Sequence, residues 1–301
     1  MPSPDFQVRL ATPADVPAVL AALSDGYGRS FTPDWFQWKH RESPWGRSRC
    51  WVADDAEGLL GAVFGLPWRL ADDRGPVACS RLVDGATTVR SQRRGVFRAV
   101  VQAELGAAAS AQRVGLVIAT ATPEARAAHV KNGAAALEPV RSYYQPVRWS
   151  PARVHTDPEV VQSWQAPPGP RLATAWDPAA LAWRLDARGG VQYQVSQLAQ
   201  ADAPHGVVHR TVGGVARTIV VTAAWGDPPA VRRLLRALAW QSKAVAVLAP
   251  AGAGTGRPAT RMALPRGESL LCVWDHRTDP RSAATTREAW QLDGLDVEGV
   301  M

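Results

Sequence analysis

Apolar and polar positions alternate almost from the start of the chain, where "FQVRLAT" (6–12) reads as a half-buried strand. "TPADVPAVLAALSDGYG" then opens with a helix-start signal. Thr12 can cap, Pro13 suits the first turn, and Asp15 favours the positive end of the dipole. Val16, Val19, Leu20 and Leu23 share one face of that helix. The same start signal recurs in "TPDWFQWKHR" (32–41), a second helix on which His40 reads as a surface residue. "SRCWVADD" and "GLLGAVFGLPWRL" look like two strands joined through "DAEG" as a hairpin.

"VACSRLVDGATTV" (77–89) is a long strand candidate ending in the polar loop "RSQRRG". "VFRAVVQAELGAAASAQ" (96–112) then has helical spacing at Val96, Val100, Val101 and Leu105. "VGLVIAT" (114–120) is a short, nearly unbroken apolar run of the buried-strand kind. "TPEARAAHVKNG" (122–133) is a helix with Thr122 as cap and Gly133 at its end. "QAPPGPRLATAWDP" (165–178) carries four prolines and a glycine. These patterns predict an N-terminal domain over 1–150, a linker over 151–170 and a C-terminal domain over 171–301.

The second half echoes the first. Trp38-Lys39 and Trp183-Arg184 stand 145 residues apart, as do Gly61-Ala62-Val63 and Gly206-Val207-Val208. The helix at 96–108 resembles 229–240, and the strand at 114–120 resembles 243–249. An internal duplication accounts best for this agreement in order and residue type. "AGAGTGRPAT" (251–260) is a glycine-rich loop, but its spacing does not follow the dinucleotide fingerprint.

Composition narrows the function classes. Hydrophobic content of 46% and charged content of 20% suit a globular protein with a core. The net charge is +7, carried almost wholly by arginine, since Lys39, Lys131 and Lys243 are the sole lysines. The arginines are scattered rather than gathered on a tail or a face, so no nucleic-acid partner is expected. Cys50, Cys79 and Cys272 are odd in number and far apart, which suggests neither a disulfide framework nor a zinc site. His205 and His209 stand at i, i+4 on a strand pattern, about 13 Å apart and too far to share a metal. With no signal-like start and no long apolar stretch, the expectation is a cytoplasmic chain without a membrane span.

The candidate chemistry lies in Gln92-Arg93-Arg94-Gly95-Val96-Phe97, between a strand and a helix. N–H groups at a helix N-terminus are unpaired and favour an anion. Gly95 lets the backbone approach closely, and Arg93 and Arg94 can add charge to a diphosphate. In the second half "TAAWGDPPAVRRLL" puts Asp227 and two prolines at the corresponding place, which would repel a diphosphate.

This order of elements and this loop resemble the GNAT acyltransferase superfamily, whose loop reads Gln/Arg-x-x-Gly-x-Gly/Ala. Gln92, Gly95 and Phe97 stand at the three marked places. One tandem branch with a degenerate second copy is a closer likeness, through Asp84, Thr87, Gly95 and Phe97 and through "F-x-W-K" at Phe36 to Lys39. The resemblance implies a mixed α/β fold in two copies, each a mostly antiparallel sheet flanked by helices, and acetyl-CoA as cofactor. It also implies transfer of an acetyl group to a primary amine of a small molecule or amino sugar.

By that likeness Thr87, Thr88 and Val89 offer backbone groups to the pantetheine, and Gln92 to Phe97 hold the pyrophosphate. Thr122 stands where many relatives carry Asn. His129 stands where many carry the tyrosine that protonates the thiolate, and Asp84 is the candidate base. Two alternatives stay open: a non-catalytic CoA-binding or scaffold protein, and a transferase drawing aminoacyl groups from tRNA as in peptidoglycan assembly. Oligomerisation is left open.

Overall fold

The computed structural model describes residues 5–111, 114–146, 149–164, 171–200, 204–213, 217–250, 264–277, 284–286 and 290–292. The glycine-rich loop at 251–260 and residues 165–170 of the expected linker lie outside them. Two compact units divide the chain. The first comprises residues 1–70, 76–137 and 272–285, and the second 71–75, 138–271 and 286–301.

The first unit begins with β1 (Gln7–Leu10), a 3-10 turn at Pro13–Asp15 and α1 (Val16–Tyr27). Helix α2 (Pro33–Phe36) widens into a π-turn over Gln37–Arg41. Then come β2 (Arg49–Asp55), β3 (Gly58–Asp72), β4 (Gly75–Thr87), α3 (Val96–Ser110), β5 (Leu116–Ala121), α4 (Pro123–Lys131) and β6 (Ala135–Ala136). Strand β2 pairs antiparallel with both β1 and β3, and β4 lies beside β3. Helix α3 is the crossover that lets β5 run parallel to β4, as a parallel pair requires. The β4–β5 register runs from Cys79 opposite Leu116 to Leu82 opposite Ala119, whereas β4 continues to Thr87. The last residues of β4 therefore leave the ladder.

The spacing of Val96, Val100, Val101, Leu105 and Ala108 lays one face of α3 against Leu60, Val63, Leu82, Val117 and Ala119 of the sheet. On that face sits a fully buried acid, Glu104. Its carboxylate accepts from Arg49 Nε at 3.0 Å and Nη2 at 2.6 Å, from Trp51 Nε1 at 2.9 Å and from Ser80 Oγ at 2.6 Å. A Cβ at Gly65 would collide with the Glu104 carboxylate, so glycine there makes room for it. A buried charge is tolerable only when its lone pairs are met in this way.

The second unit contains β7 (Val140–Pro146), β8 (Val154–Thr156), the short β9 (Ala173–Thr174), α5 (Pro178–Arg184), β10 (Gln194–Leu198) and β11 (Gly206–Val212). It continues with β12 (Arg217–Trp225), α6 (Pro228–Ser242), β13 (Ala244–Pro250) and most of β14 (Leu264–Asp275). Strands β8, β10, β11 and β12 pair antiparallel in that order, and β13 runs parallel to β12 after α6. The succession from β10 to β13 thus repeats that from β2 to β5. Each unit is a mixed α+β assembly with a mainly antiparallel sheet, as expected from the sequence.

The expected linker is a different matter. Residues 154–156 are strand β8, and Val160 and Val161 in the following 3-10 turn are each 4% exposed. Strand β8 pairs with β10 some forty residues later, a partner that local composition does not reveal. The units also divide at Leu137/Glu138 instead of residue 150, and 272–285 returns to the first unit.

Truncating Glu104 leaves a part-exposed arginine, an indole N–H and a buried hydroxyl without their acceptor. Glu104→Ala is expected to lower unfolding free energy by about 1–3 kcal/mol in urea titration. A loss below about 1 kcal/mol would show that water replaces the carboxylate.

Candidate functional site

Past Thr87 the chain makes a 3-10 turn at Val89–Ser91 and then exposes Gln92, Arg93, Arg94 and Gly95. Arg93 and Gly95 are left-handed, with φ of 64° and 83°. Gly95 is the N-cap of α3, and no side chain caps that helix. The first ladder bond runs from Ala99 N–H to the Gly95 carbonyl at 3.0 Å. Among the described residues, the N–H groups of Val96, Phe97 and Arg98 have no acceptor, the arrangement that suits an anion.

Two glycines seat this first helical turn on the sheet. A Cβ at Gly61 would lie 2.9 Å from the Ala86 carbonyl and from Val96, and one at Gly85 would lie 2.8 Å from the Phe97 ring. The basic side chains divide in role. Arg90 is held by Asp55 at 3.0–3.1 Å, by Glu57 at 3.3 Å and by the Gly58 carbonyl at 3.0 Å. Arg94 leans on Asp55 at 3.4 Å. Among the described residues Arg93 has no ion-pair partner and points its charge to solvent.

The backbone just before the loop is partly used. Thr88 N–H donates to the Leu60 carbonyl at 2.9 Å, and the Thr88 carbonyl accepts from Ser91 N–H at 3.0 Å. Thr88 therefore serves the turn, as does Val89, whose carbonyl accepts from Gln92 N–H at 3.3 Å, and Thr87 ends the strand edge. The Val89 side chain is 81% exposed.

Asp84 sits on β4 between the last β5 pair and this edge, and it is left-handed at φ 51°. Its carboxylate meets Lys39 Nζ at 2.8 Å and 2.7 Å and His40 Nε2 at 3.2 Å. His40 Nδ1 lies 3.0 Å from Ser48 Oγ, and its ring stacks on Phe64 at 3.8 Å. The expectation of a surface His40 is corrected here: His40 is 1% exposed and Lys39 0%. The surrounding rings of Trp35, Phe36 and Phe64 account for it. Burial pushes the Asp84 carboxyl up, but the Lys39 ammonium and then His40 outweigh this and hold it below the usual range. Burial pushes the His40 imidazole down to about 4 against the pull of Asp84. A carboxylate locked in that pair is a weak proton acceptor.

His129 is buried on α4, with its ring 5.5 Å from Phe97 and 5.2 Å from Trp274. Its Nδ1 has no hydrogen-bond partner among the described residues. Burial lowers its pKa to about 4, so the imidazole is neutral near pH 7. Thr122 caps α4, its hydroxyl accepting from Ala125 N–H at 3.3 Å. Tyr27 did not stand out in the sequence. Its hydroxyl donates to the Gly85 carbonyl at 3.3 Å, on the free stretch of β4. Tyr27 is 49% exposed, and its phenol stays protonated at neutral pH as a tyrosine in water does. The helix-capping pattern placed it at the end of α1, but nothing local pointed to β4.

The corresponding helix in the second unit is closed. Asp227 caps α6, its carboxylate accepting from Ala230 N–H at 3.0 Å, and Pro228 and Pro229 lack N–H groups altogether. Among the described residues no cluster of metal-ligating side chains occurs, and no helix is long and apolar enough to cross a membrane.

Residues 7–127 match the family model of the acetyltransferase (GNAT) domain. No curated protein matches the chain. Among solved structures it resembles a GCN5-related N-acetyltransferase from Anabaena variabilis, with 12% identity and a TM-score of 0.70 over 90% of this chain and 73% of that one. A conserved protein from Enterococcus faecalis described as a probable N-acyltransferase has 12% identity and a TM-score of 0.68 over 90% and 72%. Eis1 from Mycobacterium abscessus has 16% identity and a TM-score of 0.58 over 88% and 72%. At these identities the likeness shows the fold.

The buried imidazoles make stability depend on pH. Between about 6.5, the unfolded value, and about 4 the unfolded chain takes protons that the folded His40 and His129 refuse. The unfolded state then binds more protons, so stability falls as pH falls through that window and is flat above it. Urea unfolding is expected to show a loss of about 2–3 kcal/mol per imidazole from pH 7 to pH 4. In His129→Phe the slope should be shallower; an unchanged slope would place the imidazole in contact with water.

Proposed function

We propose, on the premise that residues 7–127 belong to the GNAT acetyltransferase family, that the chain transfers an acetyl group from acetyl-CoA to a primary amine. The acceptor we favour is a small molecule or an amino sugar. The observation that carries the reading is the uncapped α3 N-terminus behind left-handed Gly95, with Arg93 unpaired beside it. These groups fit a pyrophosphate, with N–H donors and helix dipole beneath it and a guanidinium at its flank. The end of β4, past its last β5 partner at Leu82, suits the amide groups of a pantetheine arm.

Acetyl-CoA supplies a thioester whose carbonyl is attacked by the amine. The chain's part is to hold the two partners in line, exclude water and offer hydrogen-bond donors to the carbonyl oxygen from the free β4 backbone. Tyr27 keeps its proton at neutral pH and stands at Gly85, so it can orient the acceptor or donate to a departing group. Neutral His129 can hydrogen-bond a sulfur or take a proton, but it is not a charged acid at pH 7. Asp84 is engaged with Lys39, and the proton of the amine goes to solvent or to a neutral group.

The repeated order of strands and helix supports reading the second unit as a degenerate copy. Asp227 and its two prolines argue against a cofactor there. The stoichiometry expected is one acetyl-CoA per chain. Free thiols at Cys50, Cys79 and Cys272 suit a reducing cytoplasm.

Isothermal titration with acetyl-CoA is expected to give one site, and Arg93→Ala/Arg94→Ala to weaken it by roughly tenfold or more. The absence of both heat and thermal shift at millimolar cofactor would overturn the reading. Unchanged affinity in the double variant would leave the anion to the backbone alone.

A further inference from the structure

A non-glycine residue in the left-handed region of a strand needs something to hold it there, and Asp84 is such a residue, with φ 51°. Asp tolerates the region better than most residues, but its own preference does not select it. Two neighbours in sequence converge on it from α2. Lys39 Nζ reaches both carboxylate oxygens, and His40 Nε2 lies 3.2 Å from one of them. Successive side chains of a regular α-helix diverge by about 100°. Here the backbone is wound as a π-turn over Gln37–Arg41, a form frequent at functional sites.

The position of the kink matters. Asp84 follows Leu82, the last residue of β4 with a β5 partner, by two residues. It precedes Gly85, whose carbonyl takes the Tyr27 hydroxyl, and Thr87, where β4 ends. The turn in the backbone and the end of the ladder therefore coincide. The Lys39 ammonium is fully buried, sits 4.9 Å above the Trp35 ring and has a largely buried carboxylate as its counter-charge. Such a pair contributes little net stability compared with apolar residues of similar volume, but it can select one geometry.

We propose that Lys39, assisted by His40, is a positioning residue: by gripping Asp84 it keeps β4 turned away from β5, and so holds the Gly85–Thr87 edge open for the arm of the acyl-CoA. Asp84 then acts as the handle of that grip and not as the base. The inference rests on the transferase reading for its ligand, though what Lys39 does to β4 is independent of it.

Two double variants separate geometry from stability. Both remove the buried ion pair, so neither leaves an uncompensated charge. In Lys39→Met/Asp84→Gly, glycine adopts the left-handed turn without strain. In Lys39→Met/Asp84→Ala, the β-carbon disfavours it. Both are expected to fold with similar melting temperatures. The glycine variant should bind acetyl-CoA within about threefold of the parent, and the alanine variant about tenfold more weakly, which is ~1.4 kcal/mol. In the cofactor-free proteins, amide hydrogen exchange at Gly85 to Thr87 should be fast in the parent and the glycine variant and slower in the alanine variant, whose strand closes on β5. Should the alanine variant not fold, Lys39→Met/Asp84→Ser takes its place.

Equal affinities and equal exchange in the two variants would overturn the proposal, since the turn would then not depend on residue 84. Failure of the parent to bind acetyl-CoA would remove the transferase reading. The exchange pattern would still decide whether the turn at residue 84 holds β4 open. Lys39→Met/Asp84→Asn, which keeps the side-chain shape without the ion pair, decides the part of Lys39: slower exchange than the parent is expected, and parent-like exchange would overturn its role.

Discussion

The carboxylate of Glu104 is the contact on which the first unit turns. It is an ion with no exposure to water, and it is tolerated because β2 and β4 bring it three partners, one of them bidentate. Those partners come from both sides of β3, whose Gly65 vacates the space the acid fills. Glu104 therefore pins the middle of α3 to three strands at once, in one rotation and at one height. The first turn of the same helix, two turns earlier, carries the unpaired N–H groups. The position of those N–H groups can be only as accurate as the helix that bears them, and here a side chain sets that accuracy.

A second buried acid in the same sheet behaves differently. Glu104 satisfies its neighbours within regular elements, whereas Asp84 is bound to Lys39 and His40 in a strand forced out of regular geometry. The two carboxylates mark opposite uses of burial. One removes freedom from a helix, and the other stores a bend in a strand. Both depend on the exclusion of water by rings and aliphatic chains, which strengthens each charge pair and also makes each one costly to break.

Local pattern made much of this legible. Proline after threonine marked the starts of α1, α2 and α4, and the apolar spacing of Val96, Val100 and Leu105 marked the buried face of α3. The exposed loop at Gln92 to Gly95 and the helix start behind it were readable because their signals are local: a glycine, a helix start and arginines within six residues. What escaped was long-range. His40 read as a surface residue, since its neighbours Lys39 and Arg41 are charged, and its partners Ser48, Phe64 and Asp84 lie on other elements. Tyr27 lay at an unremarkable helix end until β4 was found beneath it. The expected linker concealed β8, whose partner strand comes some forty residues later.

The two crossover helices end differently at their N-termini, and this has a consequence for cohesion. Helix α6 brings its own acceptor in Asp227 and stiffens its approach with two prolines, so its first turn is complete in the bare chain. Helix α3 begins at a glycine, and among the described residues its first N–H groups have no acceptor. Its first turn is uncapped, and Glu104 holds the helix two turns behind it. An anion held at that turn would act as its cap and would stiffen the start of the helix. The first turn of α6 has no such need: its cap is a side chain of the chain itself, so its order waits on no ligand.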